Sequence, residues 1–160
     1  MNAFVKKLLI VFSSIVLHLG STFLHAAESE SLSIEMTRVF DQVETPKPIS
    51  LVTIPDGSGR SLLVLQGGRV ILLSSGFEKG ETSTFFNIPS ELMIDNAFEE
   101  GLLGLVFHPN YERNGLFYLY HSLQNPKRTV LVERRVSNTE SLALDKSHNR
   151  LVLEIEQPYW

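Results

Sequence analysis

The apolar residues of this chain fall in short consecutive runs, each closed by a turn, and that pattern narrows the folds open to it. The runs lie at 49–54, 62–65, 70–73, 102–107, 116–120, 129–132 and 151–155. Between them stand Pro55-Asp56-Gly57-Ser58-Gly59, Gln66-Gly67-Gly68, Ser74-Ser75-Gly76, His108-Pro109-Asn110, Asn114-Gly115 and Asn125-Pro126. Each run has the length of a strand and is short for a helix. Gly and Asn supply the positive φ angles of tight turns, and Pro presets the other corner. Leu62-Leu63-Val64-Leu65 and Leu116-Phe117-Tyr118-Leu119-Tyr120 are apolar at successive positions. Neighbouring side chains on a strand point to opposite faces, so these strands need cover on both. Short, doubly covered strands without helices between them exclude a βαβ fold. They fit stacked antiparallel sheets, as a sandwich or as propeller blades. The segment 89–97 is where a helical turn is expected.

Residues 1–27 have the three parts of a secretion signal: Lys6 and Lys7, an apolar stretch, and a small-residue end at Ala26-Ala27. Cleavage there leaves about 133 residues, enough for one domain. Residues 28–48 form a lead-in, acidic and serine-rich at its start, and the apolar rhythm occupies 49–160. The mature chain is expected to be periplasmic or secreted, with no membrane segment after cleavage. It has no cysteine, which excludes disulfides, thiolate metal sites and cysteine nucleophiles. The net charge is −4, and it becomes −6 without Lys6 and Lys7. A surface of that sign argues against nucleic acid as a partner.

Several segments carry residue types that chemistry uses. The Pro55-Asp56-Gly57-Ser58-Gly59-Arg60 segment reads as a hairpin loop and nothing more. Gln66-Gly67-Gly68 is a tight connection, because no helix or Gly-Lys-Ser/Thr follows to make a phosphate loop. His108, His121 and His148 lack the paired spacing of a metal site. His108 reads as a turn residue at a strand end, and His121 as an unremarkable residue at the end of its strand. Lys127-Arg128 and Arg134-Arg135 read as a solvated strand edge that discourages edge pairing.

The most distinctive segment is Glu99-Glu100-Gly101-Leu102-Leu103-Gly104-Leu105-Val106-Phe107-His108-Pro109-Asn110-Tyr111. Together with Pro55-Asp56-Gly57-Ser58-Gly59-Arg60, Gly68-Arg69-Val70 and Asn114-Gly115-Leu116-Phe117-Tyr118, it resembles the early blades of the soluble pyrroloquinoline-quinone (PQQ)-dependent sugar dehydrogenases, the glucose/sorbosone dehydrogenase family. The likeness continues through Val132-Glu133-Arg134-Arg135-Val136-Ser137 to the Gln157-Pro158 segment and covers 49–160. It implies an all-β fold: an incomplete β-propeller, about two blades of a six-bladed propeller with four-stranded blades.

The resemblance also implies a function. The parent protein would be an exported quinoprotein oxidoreductase that oxidises an aldose sugar to its lactone, with PQQ and calcium as cofactors and a separate electron acceptor. The catalytic histidine of relatives falls in a segment beyond Trp160, so no catalytic residue is assigned here. This fragment is expected to be inactive, to hold neither cofactor, and to self-associate through its open edge and uncovered face. Glu99 is the candidate substrate-binding residue. In relatives the corresponding loop residue, often glutamine, approaches the sugar at the mouth of the central channel. The competing reading is a solvated acidic loop of Glu99, Glu100 and Asp95. Two alternatives to the enzyme remain: a non-catalytic propeller binding module like that of Hedgehog-interacting proteins, and a small autonomous β-sandwich.

Overall fold

Among the described residues eight strands assemble into two antiparallel sheets, and seven of them carry the apolar runs. The computed structural model describes residues 32–40, 43–75, 81–89 and 98–157. The secretion-signal segment 1–27 and nearly all of the helical segment expected at 89–97 lie outside them. The chain divides into two units, Met1–Met36 and Thr37–Trp160. In the first, residues 32–36 are exposed and without regular secondary structure.

In the second unit, β1 (Pro48–Thr53), β2 (Ser61–Leu65), β3 (Arg69–Leu73) and β4 (Thr82–Asn87) pair in sequence order. The same up-and-down order recurs in β5 (Leu102–Phe107), β6 (Leu116–Leu123), β7 (Arg128–Asn138) and β8 (Ala143–Glu156). Two successive four-stranded meanders packed face to face are two propeller blades, so the all-β, incomplete-propeller expectation holds. One helical turn, α1 (Tyr111–Asn114), joins β5 to β6 and ends on Gly115 at φ 64°. The sequence pattern missed this turn. It also missed β4, because Thr82-Ser83-Thr84 is polar and exposed. That strand is an edge, held by its ladder to β3 and by half-buried Phe85 and Phe86.

The shared core lies between the sheets. Leu62, Val64 and Val70 from the first blade meet Leu102, Leu105, Phe117 and Leu119 from the second. Phe117 is fully buried, with Phe85 and Phe107 around it at centroid distances of 5.7 and 6.4 Å. A smaller cluster on Leu65, Ile71 and Leu73 is covered by Phe40 and Val43, so part of the lead-in segment packs on the first blade. Val106, Tyr120, Leu153 and Ile155 of the second blade remain exposed. Among the described residues no helix is long and apolar enough to cross a membrane.

Two sequence expectations need correction. The loop 55–60 is more than a turn. Arg60 donates from Nη1 to the Glu140 carbonyl at 2.8 Å and from Nη2 to the Thr139 carbonyl at 3.2 Å, reaching the β7–β8 turn of the other blade. Asp56 holds the guanidinium at 2.7 Å, and Ser58 Oγ accepts from Arg60 Nε at 2.9 Å. Arg134-Arg135 is not a strand edge either, because β8 pairs with β7 along its length and makes β7 interior. Arg135 is tied to Asp145, while Arg134 is half-buried over Phe86, 5.1 Å from the ring centroid.

Arg60→Ala should lower stability by about 1–3 kcal/mol, because charge-assisted hydrogen bonds across the blades are lost. Urea unfolding measures it, and Arg60→Lys should recover little, since one ammonium cannot reproduce the fork.

Candidate functional site

The end of the second sheet where β5 begins, β6 ends and β7 begins encloses an open cleft of about 560 Å³. Glu99, Glu100, Tyr120, Lys127, Arg128 and Gln157 are among its lining residues. The segment that carries the two glutamates is held from the other blade. Gln66, buried in the β2–β3 turn, donates from Nε2 to the carbonyls of Phe98 at 2.8 Å and Glu100 at 2.7 Å. Its own carbonyl accepts from Leu102 N at 2.8 Å. Gly101 lies at φ +117°, and a Cβ there would collide with the Gln66 carbonyl oxygen. The Gln66 carbonyl and the strand start can approach this closely only at a glycine.

Glu99 and Glu100, adjacent in sequence, have opposite surroundings. Glu100 is buried and ion-paired with Lys127. This removes it from the solvated acidic loop expected at 95–100; Asp95 lies outside the described residues. Glu99 is exposed on the cleft wall, with no hydrogen bond or ion pair to another described residue. Lys127 and Arg128 are the cleft's cations, and both are engaged, Lys127 by Glu100 and Arg128 by Glu154 at 3.2 Å. Chemically, the cleft presents one free carboxylate beside an aromatic ring, Tyr120, and amide and hydroxyl groups from Gln157, Ser122 and Thr129. Such a set accepts and donates hydrogen bonds to a neutral polyol.

No described histidine lines this cleft. His108 organises its own turn, its Nδ1 lying 2.9 Å from Asn110 N and from Asn114 Nδ2. His121 is buried rather than an ordinary strand-end residue, and burial pushes its pKa below the usual imidazole value. His148 Nε2 lies 3.0 Å from Glu133 Oε1. Among the described residues no group of three or more His, Cys, Asp or Glu side chains is placed to hold a metal ion.

Glu133 centres a second cluster that sequence reading overlooked. Arg150 donates to it from Nε at 2.9 Å and from Nη2 at 2.7 Å, and the Tyr118 hydroxyl donates at 3.1 Å. The Arg150 hydrogen bonds dominate, with those of His148 and Tyr118, over the opposing effect of burial, and hold the carboxyl pKa at about 2. The partners stand opposite one another on β6, β7 and β8, a juxtaposition that cross-strand register alone creates. The cluster ties three strands together and does not line the Glu99 cleft.

Two of these contacts can be tested directly. Gln66→Leu should destabilise the chain by about 1–3 kcal/mol, since the carbonyls of Phe98 and Glu100 lose their donor. Amide exchange should then accelerate at Leu102, and an unchanged exchange rate would contradict the staple. Glu133 has a folded pKa depressed from 4.5, so its stabilisation is complete above pH 4.5 and is lost as pH falls towards 2. Glu133→Gln should be less stable at neutral pH and should show a flatter stability curve in that window. Thermal melts across the range measure it.

A family model described as Glucose / Sorbosone dehydrogenase matches residues 45–153. The chain is 33% identical over 96 residues to the HIPL2 protein of Arabidopsis thaliana, covering 49% of this chain and 14% of that protein. It is 32% identical over 76 residues to quinoprotein glucose dehydrogenase B of Acinetobacter calcoaceticus, covering 43% and 16%. With the Hedgehog-interacting protein of Mus musculus it shares 28% identity over 121 residues, covering 69% and 17%. The chain thus spans only 14–17% of the length of these curated relatives. Among solved structures, the PQQ-bound aldose sugar dehydrogenase of Streptomyces coelicolor matches with a TM-score of 0.57 at 17% identity, covering 76% of this chain and 34% of that one. That likeness concerns the fold.

Proposed function

The chain belongs to the glucose/sorbosone dehydrogenase family, and from that premise we propose that it forms two blades of an exported, quinone-dependent sugar dehydrogenase in which Glu99 binds the sugar. The observation that carries this reading is the Glu99 carboxylate, unpaired on the wall of a polar cleft and held there by a glutamine from the neighbouring blade. Glu99 accepts hydrogen bonds from sugar hydroxyls. Gln66 and Gly101 fix the turn that presents it, and the ion pair with Lys127 neutralises the adjacent acid, Glu100, on the same cleft. Export rests on the signal-like pattern of residues 1–27.

Pyrroloquinoline quinone is a tricarboxylate, and its recognition calls for unpaired cations. Lys127 and Arg128 in the cleft are already paired with acids, so the residues of this cleft do not fit the quinone. The contribution assigned to this chain is therefore sugar positioning. Quinone, calcium and proton acceptor belong to other parts of the proposed parent protein.

A second reading is a binding module without catalysis. It is favoured by the match to the Hedgehog-interacting protein, which spans more of this chain than the match to the glucose dehydrogenase does. One experiment addresses both. In the longer polypeptide supplied with PQQ and calcium, Glu99→Ala should raise KM for aldose about tenfold, the scale of one lost hydrogen bond to a charged group. Unchanged KM would remove Glu99 from the sugar site. Absence of aldose oxidation in the unaltered protein would favour the binding module.

A further inference from the structure

A second cleft, of about 530 Å³, opens between the two blades. Its walls are largely apolar, with Phe86 and Ile88 from the first blade and Leu119, Val130, Val132 and Leu151 from the second. Set into them is Arg134. Its guanidinium lies over the Phe86 ring, and its Nε is buried without an acceptor. It forms no ion pair among the described residues. The arginines near it are paired with acids, Arg128 with Glu154 and Arg135 with Asp145, although Arg128 Nε also lacks a hydrogen-bond acceptor. A buried donor left without an acceptor is costly, and a protein tolerates it where a ligand or water completes the site.

The other polar groups of the cleft set the charge of an occupant. Arg128 and Glu154 both line it and cancel each other. His121 also lines it; its Nδ1 is 3.3 Å from the Ser122 carbonyl, and burial favours its neutral form. One positive charge without an ion pair among the described residues therefore remains, flanked by hydrocarbon, an aromatic face and the neutral amides of Gln124, Asn125 and Asn149. A dianionic phosphate or a free sugar matches the apolar walls poorly. A molecule with one carboxylate and an apolar body matches both features.

We propose that the cleft between the blades binds a small amphiphilic carboxylate, its head on Arg134 and its apolar body against Phe86, Leu119, Val132 and Leu151. The site is separate from the Glu99 cleft and does not depend on the sugar-binding reading. Arg128 alone among the residues named here lines both clefts.

Octanoate is a suitable probe, titrated into the full chain while the methyl signals of Leu119, Val132 and Leu151 are followed by NMR. These signals should move together and saturate. Octanamide, of the same length but uncharged, should bind about tenfold more weakly, the factor that separates a charge-assisted hydrogen bond from a neutral one. Arg134→Gln should abolish the difference between the two ligands. The comparison of octanoate with octanamide on the unaltered chain stands even if that variant fails to fold. Equal affinity for the two ligands would overturn the proposal. So would shifts confined to the exposed residues Val106, Leu153 and Ile155.

Discussion

The contact between Gln66 and the segment leading into β5 is the constraint on which the rest of the structure depends. A four-stranded blade alone leaves both faces of its strands open, and the chain must bring a second blade against the first to bury Leu62, Val64 and Phe117. The side chain and carbonyl of Gln66 fix the point at which the second blade starts, and Gly101 makes the approach sterically possible. Gln66 closes one end of β2, and Arg60 closes the other by reaching the β7–β8 turn. With a polar fastener at each end and a hydrocarbon core between them, the two sheets have one register. Hydrophobic burial is non-directional and supplies the drive, while the hydrogen bonds select the arrangement.

The site inherits its geometry from that fastening. The residues that Gln66 grips flank Glu99, so the carboxylate is positioned by a neighbouring blade through backbone carbonyls. The two adjacent acids then differ in their surroundings, Glu100 buried in an ion pair with Lys127 and Glu99 exposed on the cleft wall. The cleft between the blades arises from the same packing, with Phe86 of the first blade and Arg134 of the second on its walls.

Much of this was legible in local sequence. Leu62-Leu63-Val64-Leu65 announced a strand covered on both faces, and β2 is buried at four of its five positions. The turn residues placed the hairpins, and four motifs in register chose the propeller. Features governed by distant partners were not legible. Gln66 bonds to carbonyls 32 and 34 residues away, and Arg60 to carbonyls 79 and 80 away, so nothing beside either residue signals its role. Arg134 read as a solvated edge because the β8 ladder extends through polar residues such as Asn149 and Arg150, which no apolar run marks. The Glu133 cluster likewise exists only once β6, β7 and β8 are in register.

The most direct measurement is a crystal structure of the longer protein with an aldose bound. The account places the Glu99 carboxylate within about 2.5–3.0 Å of a sugar hydroxyl, with Gln66 still bonded to the carbonyls on either side of it. A sugar bound at another end of the sheets, with Glu99 facing solvent, would contradict it.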